Sequence, residues 1–170
     1  MQNLVRTVGA IFVLAFLAAC ANTEPEAPAG ANSLPTGEGH GACQVGAPYR
    51  IDGHTYYPKA DWHYEATGIA SWYSPDLNGH LTANGEIYDE AKMTAAHRTL
   101  QLPAVVSVTN LANGKSVVVR VNDRGPFVHG RLIELSKRAA RRLGFVRAGT
   151  ARVRVRLLAR DTERLWQACQ

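Results

Sequence analysis

Val117-Val118-Val119-Arg120-Val121-Asn122-Asp123-Arg124-Gly125-Pro126-Phe127 decides how this chain is read. Its near-continuous β-branched start favours a strand, and Gly125-Pro126 ends that strand and turns the chain. Strand alternation puts Val117, Val119, Val121 and Asp123 on one face and Arg120, Asn122 and Arg124 on the other. A carboxylate leaving a strand on its buried side is a place for an acid with a raised pKa. Asn122 and Asp123 also fit a plainer role as turn formers that hydrogen-bond their own backbone.

Short strands surround this stretch. Val105–Asn110 and Ser116–Asp123 pair through Leu111–Lys115, where Asn113-Gly114 marks a tight hairpin turn. Upstream, Gly68–Tyr73 is a strand and Ser74–Asn84 a loop with turn signals at Pro75, Asn78-Gly79 and Asn84-Gly85. Glu86–Asp89 and Lys92–Leu100 fit either short helix or strand. Downstream, Arg131–Leu135 is a strand, and Ser136 caps a helix that runs to Leu143 and stops at Gly144. Arg152–Leu158 is the last strand, with Arg152, Arg154 and Arg156 on its solvated face. Short strands with one or two short helices imply a mostly β barrel, not a parallel α/β sheet.

A chain of 170 residues holds one modest domain plus appendages. Residues 1–19 read as an export signal: Arg6, a short apolar run over Val8–Ala19, then small residues before Cys20. Leu17-Ala18-Ala19-Cys20 resembles a bacterial lipobox, which implies that Cys20 carries lipid. Ala21 in place of an Asp retention signal favours the outer membrane, facing the periplasm. Residues 20–45 then form a tether rich in Ala, Pro, Gly, Glu and Thr, which has too little apolar surface to order itself. Residues 46–66, with Tyr49, Ile51 and Tyr56-Tyr57-Pro58, form an arm on a barrel that spans 67–160, and 161–170 is a tail. With Cys20 lipidated, an exported chain leaves Cys43 and Cys169 as an even pair that could tie the two ends together.

Charge is uneven. From Arg131 onward there are eleven Lys/Arg against three acids, whereas the rest has eight against eleven. A basic half suits an anionic partner such as a wall polymer or lipid headgroups. No aromatic residues interleave with the arginines, so nucleic acid is not expected as a partner. The six histidines show no metal-ligand spacing, and no metal or cofactor is expected. A nucleophile elbow, a Cys/His dyad and a phosphate-binding loop are all missing from the sequence.

Gly68-Ile-Ala-Ser-Trp-Tyr73, Thr82-Ala-Asn-Gly-Glu86, Met93-Thr-Ala-Ala-His97, Val108-Thr-Asn110 and Val121-Asn-Asp-Arg-Gly-Pro-Phe127 occur in that order. Together they resemble the rare lipoprotein A family of bacterial septal lytic transglycosylases, over roughly Tyr49 to Leu158. The resemblance implies a six-stranded double-psi β-barrel. It also implies cleavage of peptidoglycan glycan strands, with preference for strands without stem peptides, and divisome or amidase partners. Many members carry a C-terminal SPOR domain; here the chain stops soon after the last strand, so targeting through that module is not expected. The alternative is an expansin-like barrel that binds glycan, or anchors the wall, without turnover.

A lytic transglycosylase needs one carboxyl group that donates a proton and later takes one back. Asp123 is the expected acid/base. Glu86, after the flexible Asn84-Gly85, is expected at the cleft rim, where it could raise the pKa of Asp123 or stabilise developing positive charge. His97 enters through the family motif, to bind substrate or orient a carboxylate. Trp72 and Tyr73 are candidates for stacking on sugar, although as strand neighbours only one can line a groove. Thr82, Asn84, Asn122 and Arg124 complete the expected substrate-binding set.

Overall fold

The computed structural model describes residues 41–169. The export signal, Cys20 and the tether up to residue 40 lie outside the described residues. The arm begins with a hairpin of β1 (Tyr49–Ile51) and β2 (His54–Tyr56), paired antiparallel. Its turn is Asp52-Gly53, both with positive φ (48° and 81°), the backbone a tight two-residue hairpin needs.

Six further strands close into a barrel: β3 (Glu65–Trp72), β4 (Thr94–His97), β5 (Ala104–Asn110), β6 (Ser116–Asp123), β7 (Arg131–Leu135) and β8 (Ala151–Leu157). Around the barrel the order is β3-β7-β4-β6-β5-β8. Two pairs, β3/β7 and β4/β6, run parallel, and the other four run antiparallel. Closure leaves no unpaired sheet edge, which suits a small β domain. The undecided stretch 92–100 contains strand β4, whereas 86–89 is loop, tied to its neighbourhood by a bridge between Leu81 and Ile87.

The interior is built by alternation. Val106, Val108, Val119, Val121, Ile133, Leu135, Val153 and Val155 are all fully buried. Burial of each such side chain stabilises the fold by roughly 1.5–3 kcal/mol relative to exposure. On β8, Arg152 and Arg154 are exposed between the buried valines. Helix α1 (Lys137–Leu143) is capped by Ser136, whose hydroxyl accepts from the Ala139 N–H, and it ends at Gly144 with φ 80°. The tail folds as a second helix, α2 (Ala159–Gln167), which lies against β5. Thr162 accepts from the Val105 N–H at 2.9 Å, and the Trp166 indole donates to the Pro103 carbonyl at 2.8 Å. Cys43 and Cys169 are joined, with Cα atoms 6.0 Å apart.

One local feature departs from simple alternation. Along the parallel β4/β6 pair, Ala95 faces Val121 but Ala96 faces Asp123, so Asn122 is an extra residue in β6. This bulge turns Asp123 away from the side of Val117, Val119 and Val121 and onto the side of Asn122. The carboxylate therefore leaves the strand on the outer face of the barrel, not the core face that alternation predicts.

Candidate active site

Register places four residues in a row on the outer face: Ser71 on β3, Glu134 on β7, Ala96 on β4 and Asp123 on β6. Ser71 pairs with Glu134, Glu134 with Ala96, and Ala96 with Asp123. Paired residues project to the same side of a sheet, and the single methyl of Ala96 leaves the space between the two acids open. Gly125 follows Asp123 with φ 136°, a backbone region that L side chains rarely adopt. It brings the chain over Ala96: a Cβ there would lie 3.6 Å from the Ala96 Cβ and 3.7 Å from Glu134 Oε2.

Asp123 is half-buried and well held. Its Oδ1 accepts from the Ala83 N–H at 2.8 Å and from its neighbour's Arg124 N–H at 2.7 Å, and the Tyr73 hydroxyl donates to Oδ2 at 2.9 Å. With two N–H donors on Oδ1, Oδ2 is the oxygen that can carry a proton. Burial, together with the charge and hydrogen bond of Asp123, pushes the Tyr73 phenol well above its ordinary pKa, so it remains a donor. Its ring packs on Tyr88, centroids 4.4 Å apart. Trp72, the other aromatic of the pair, is packed against the barrel core.

Glu134 is the residue that sequence reasoning missed. Its Oε1 accepts from the Ser71 hydroxyl at 3.3 Å. Burial raises its pKa, and the Asp123 charge adds to the rise against the opposing effects of Ser71 and Arg131. The only sequence signal was an acid within the apolar strand Arg131–Leu135; its neighbourhood comes from strand pairing.

Glu86 is placed differently from the expectation of a rim residue. It is 1% exposed and lies beneath the loop that carries Ala83. Arg120 reaches its Oε1 through Nε (3.0 Å) and Nη2, Asn84 donates to the same oxygen at 2.8 Å, and Asn122 donates to Oε2 at 2.8 Å. Burial alone would raise its pKa, but these hydrogen bonds and the guanidinium charge bring it below the usual carboxylate range. Thr82 closes the same network by donating to Asn84 Oδ1 at 2.9 Å. The side chains of Thr82, Asn84 and Asn122 are thus buried and bonded to one another's loop. What the network builds is the loop that aims the Ala83 N–H at Asp123. Gly41 covers it so closely that a Cβ there would lie 2.6 Å from Glu86 Oε1.

His97 alternates to the opposite side of β4 from Ala96. Its Nδ1 accepts from the Thr99 and Leu100 N–H groups at 3.2 and 3.1 Å, and its Nε2 meets the Tyr64 hydroxyl at 2.8 Å. Burial, reinforced by Arg98 and Arg124, lowers its pKa to about 3, so the ring is neutral. Both nitrogens are committed away from the carboxylates. Arg124 is likewise committed, donating to the carbonyls of Leu100, His97 and Val45. It clamps the end of β4, the turn after it and the segment at Val45 together. Leu81 and Ile87, on the loop that carries Ala83, and Phe127 and Val128, just after Gly125-Pro126, are exposed apolar side chains. Phe127 also packs on Tyr49 and Tyr56 of the arm.

The fold and site together define a double-psi β-barrel with two carboxyl groups on its outer face. Residues 65–155 match the family described as "Lytic transglycolase", and the chain belongs to that family. Among curated relatives, it is 59% identical over 109 residues to the endolytic peptidoglycan transglycosylase RlpA of Pseudomonas aeruginosa, covering 64% of this chain and 32% of that one. To the Vibrio cholerae protein of the same name it is 53% identical over 117 residues, covering 66% and 43%. To that of Rickettsia bellii it is 45% identical over 127 residues, covering 73% and 56%. The match thus spans between a third and somewhat over half of the length of these relatives.

Proposed function

We propose that this chain cleaves peptidoglycan glycan strands as a lytic transglycosylase, with Asp123 as its acid/base. The observation that carries the reading is a carboxylate turned to the outer face of the barrel and held by the Ala83 N–H and the Tyr73 hydroxyl. The relatives' names and the family description support the substrate and reaction class. Asp123, protonated on Oδ2, gives its proton to the glycosidic oxygen between N-acetylmuramic acid and N-acetylglucosamine. The C1–O bond breaks and positive charge develops at C1. The 6-hydroxyl oxygen of the same muramoyl residue bonds to C1, and its proton returns to Asp123. Water is neither consumed nor produced, and the product ends in a 1,6-anhydro ring.

Preference for strands without stem peptides belongs to the same proposal, as do a lipid on Cys20 and a place on the outer membrane facing the periplasm. Incorporation of labelled palmitate that is lost in Cys20→Ser tests the anchor. The activity is tested by mass spectrometry of denuded glycan strands incubated with the full chain in detergent. Products ending in 1,6-anhydro-N-acetylmuramic acid, lost in Asp123→Asn, are the expected result. Reducing ends would make it a hydrolase, and intact strands that co-sediment with the protein would make it a binding module.

A further inference from the structure

We propose that Glu134 is a second carboxyl group of the reaction centre, and that Glu134 and Asp123 hold one proton between them. The proposal rests on Asp123 being the acid/base. Its geometric basis is the row Ser71–Glu134–Ala96–Asp123, in which both acids point to the same side and only a methyl group separates them. Ser71 fixes Glu134 Oε1, so Oε2 is the oxygen that leans over Ala96 toward the Asp123–Gly125 turn. On the other acid, Oδ1 accepts two N–H groups, whereas Oδ2 accepts the Tyr73 hydroxyl alone and keeps a lone pair for a proton. Each acid therefore has one oxygen with room for a proton, Glu134 Oε2 and Asp123 Oδ2.

Two carboxylates in so confined a space do not both ionise easily, and such a pair titrates as a unit. Other charged or titratable groups around Glu134 are few. Arg131 on its own strand opposes the effect of burial, and the Tyr73 and Tyr88 hydroxyls lie beside the pair. Glu86 does not serve this purpose, because Arg120 neutralises it.

The pair adds two things to the reaction. The shared proton stays within the Glu134–Asp123 pair until substrate arrives and is delivered through Asp123. Once Asp123 has protonated the leaving oxygen, two anionic groups face the positive charge at C1. When the 6-hydroxyl closes on C1, its proton restores the pair to its starting state. No co-reactant is needed.

Two measurements on the full chain in detergent test this. The first is the pH profile of turnover on denuded glycan for the native chain and Glu134→Gln, with circular dichroism to confirm folding. Gln keeps an acceptor for Ser71 but carries no charge. The expected result is that the alkaline limb moves down by about one pH unit or more. Turnover at neutral pH then falls by about tenfold while KM stays within about twofold. An unmoved limb overturns the proposal, because a merely structural role for Glu134 predicts that outcome. The second is carbon-13 NMR titration of the Glu134 carboxyl, which needs no turnover and so stands even if the glycan is not cleaved. A Glu134 titration that drops toward the ordinary range in Asp123→Asn supports the pair; one indifferent to that substitution overturns it.

Discussion

Replacing Glu86 by Gln perturbs the network that aims Ala83 at Asp123. Glu86 is 1% exposed and Arg120 8%, so the ion pair is essentially out of water. The substitution leaves the Arg120 guanidinium buried without its counter-charge, which costs about 3–5 kcal/mol. It also sets an amide NH2 where a carboxylate oxygen now accepts, against either the Asn122 amide or the Asn84 and Arg120 donors. A domain of this size loses roughly 3–5 °C in Tm for each kcal/mol, so a fall of about 10–20 °C is expected by thermal unfolding. Replacing both partners by leucine removes the charge and its counter-charge together and recovers part of the loss, since the Asn84 and Asn122 amides still lose their acceptor. A cycle of Glu86→Leu, Arg120→Leu and both together therefore shows the double variant less destabilised than the sum of the two single variants. Glycan cleavage well below the lowered Tm also drops, since the Ala83 N–H is no longer aimed at Asp123. A Tm fall of less than about 3 °C, or strictly additive single changes, would refute the reasoning.

Three other outcomes are expected. Tyr73→Phe deletes only the hydroxyl that donates to Asp123 Oδ2, so turnover falls about fivefold, and no further loss appears in an Asp123→Asn background. Because the His97 pKa lies at about 3 when folded, below its unfolded value, the unfolded state binds the extra proton and stability falls as pH drops from about 6.5 toward 3. Denaturant titrations between about pH 6 and pH 4 should give a pH slope shallower by about 1.4 kcal/mol per unit in His97→Asn; equal slopes would remove that assignment. Cys43→Ser opens the bridge to Cys169, which closes 126 residues of chain, and lowers stability by about 2–5 kcal/mol in the absence of reductant. A native protein whose stability is the same with and without reductant would contradict it.

The sequence reading reached the barrel because alternation in β6, β5 and β8 is strong and the caps of α1 are both local signals. It failed at Asn122, where one extra residue in β6 reverses the side on which Asp123 emerges. A bulge is decided by the partner strand, which the stretch itself does not contain. Glu134 was invisible for a related reason: β7 meets β4 across 33 residues of chain that do not advertise the pairing. Glu86 was singled out, but its burial depends on Arg120 and on Gly41, one far downstream and one in the segment read as tether. Helix α2 was read as a tail because its few apolar residues, Leu165 and Trp166, find their contacts only on the finished barrel.

The bridge between Cys43 and Cys169 also governs how the domain carries load. A pull that enters at Gly41 reaches Cys43 within two residues and there divides. One branch follows the chain into the Gln44–Leu102 backbone pairing, and the other crosses the sulfurs into the end of α2. Peeling the covering segment from the barrel then requires both branches to give way together, instead of one hydrogen bond after another. Reduced protein should detach that segment, and with it the cover over Glu86, at a lower stretching force than oxidised protein. The covalent clasp makes the covering segment and the end of α2 yield to a pull as one unit.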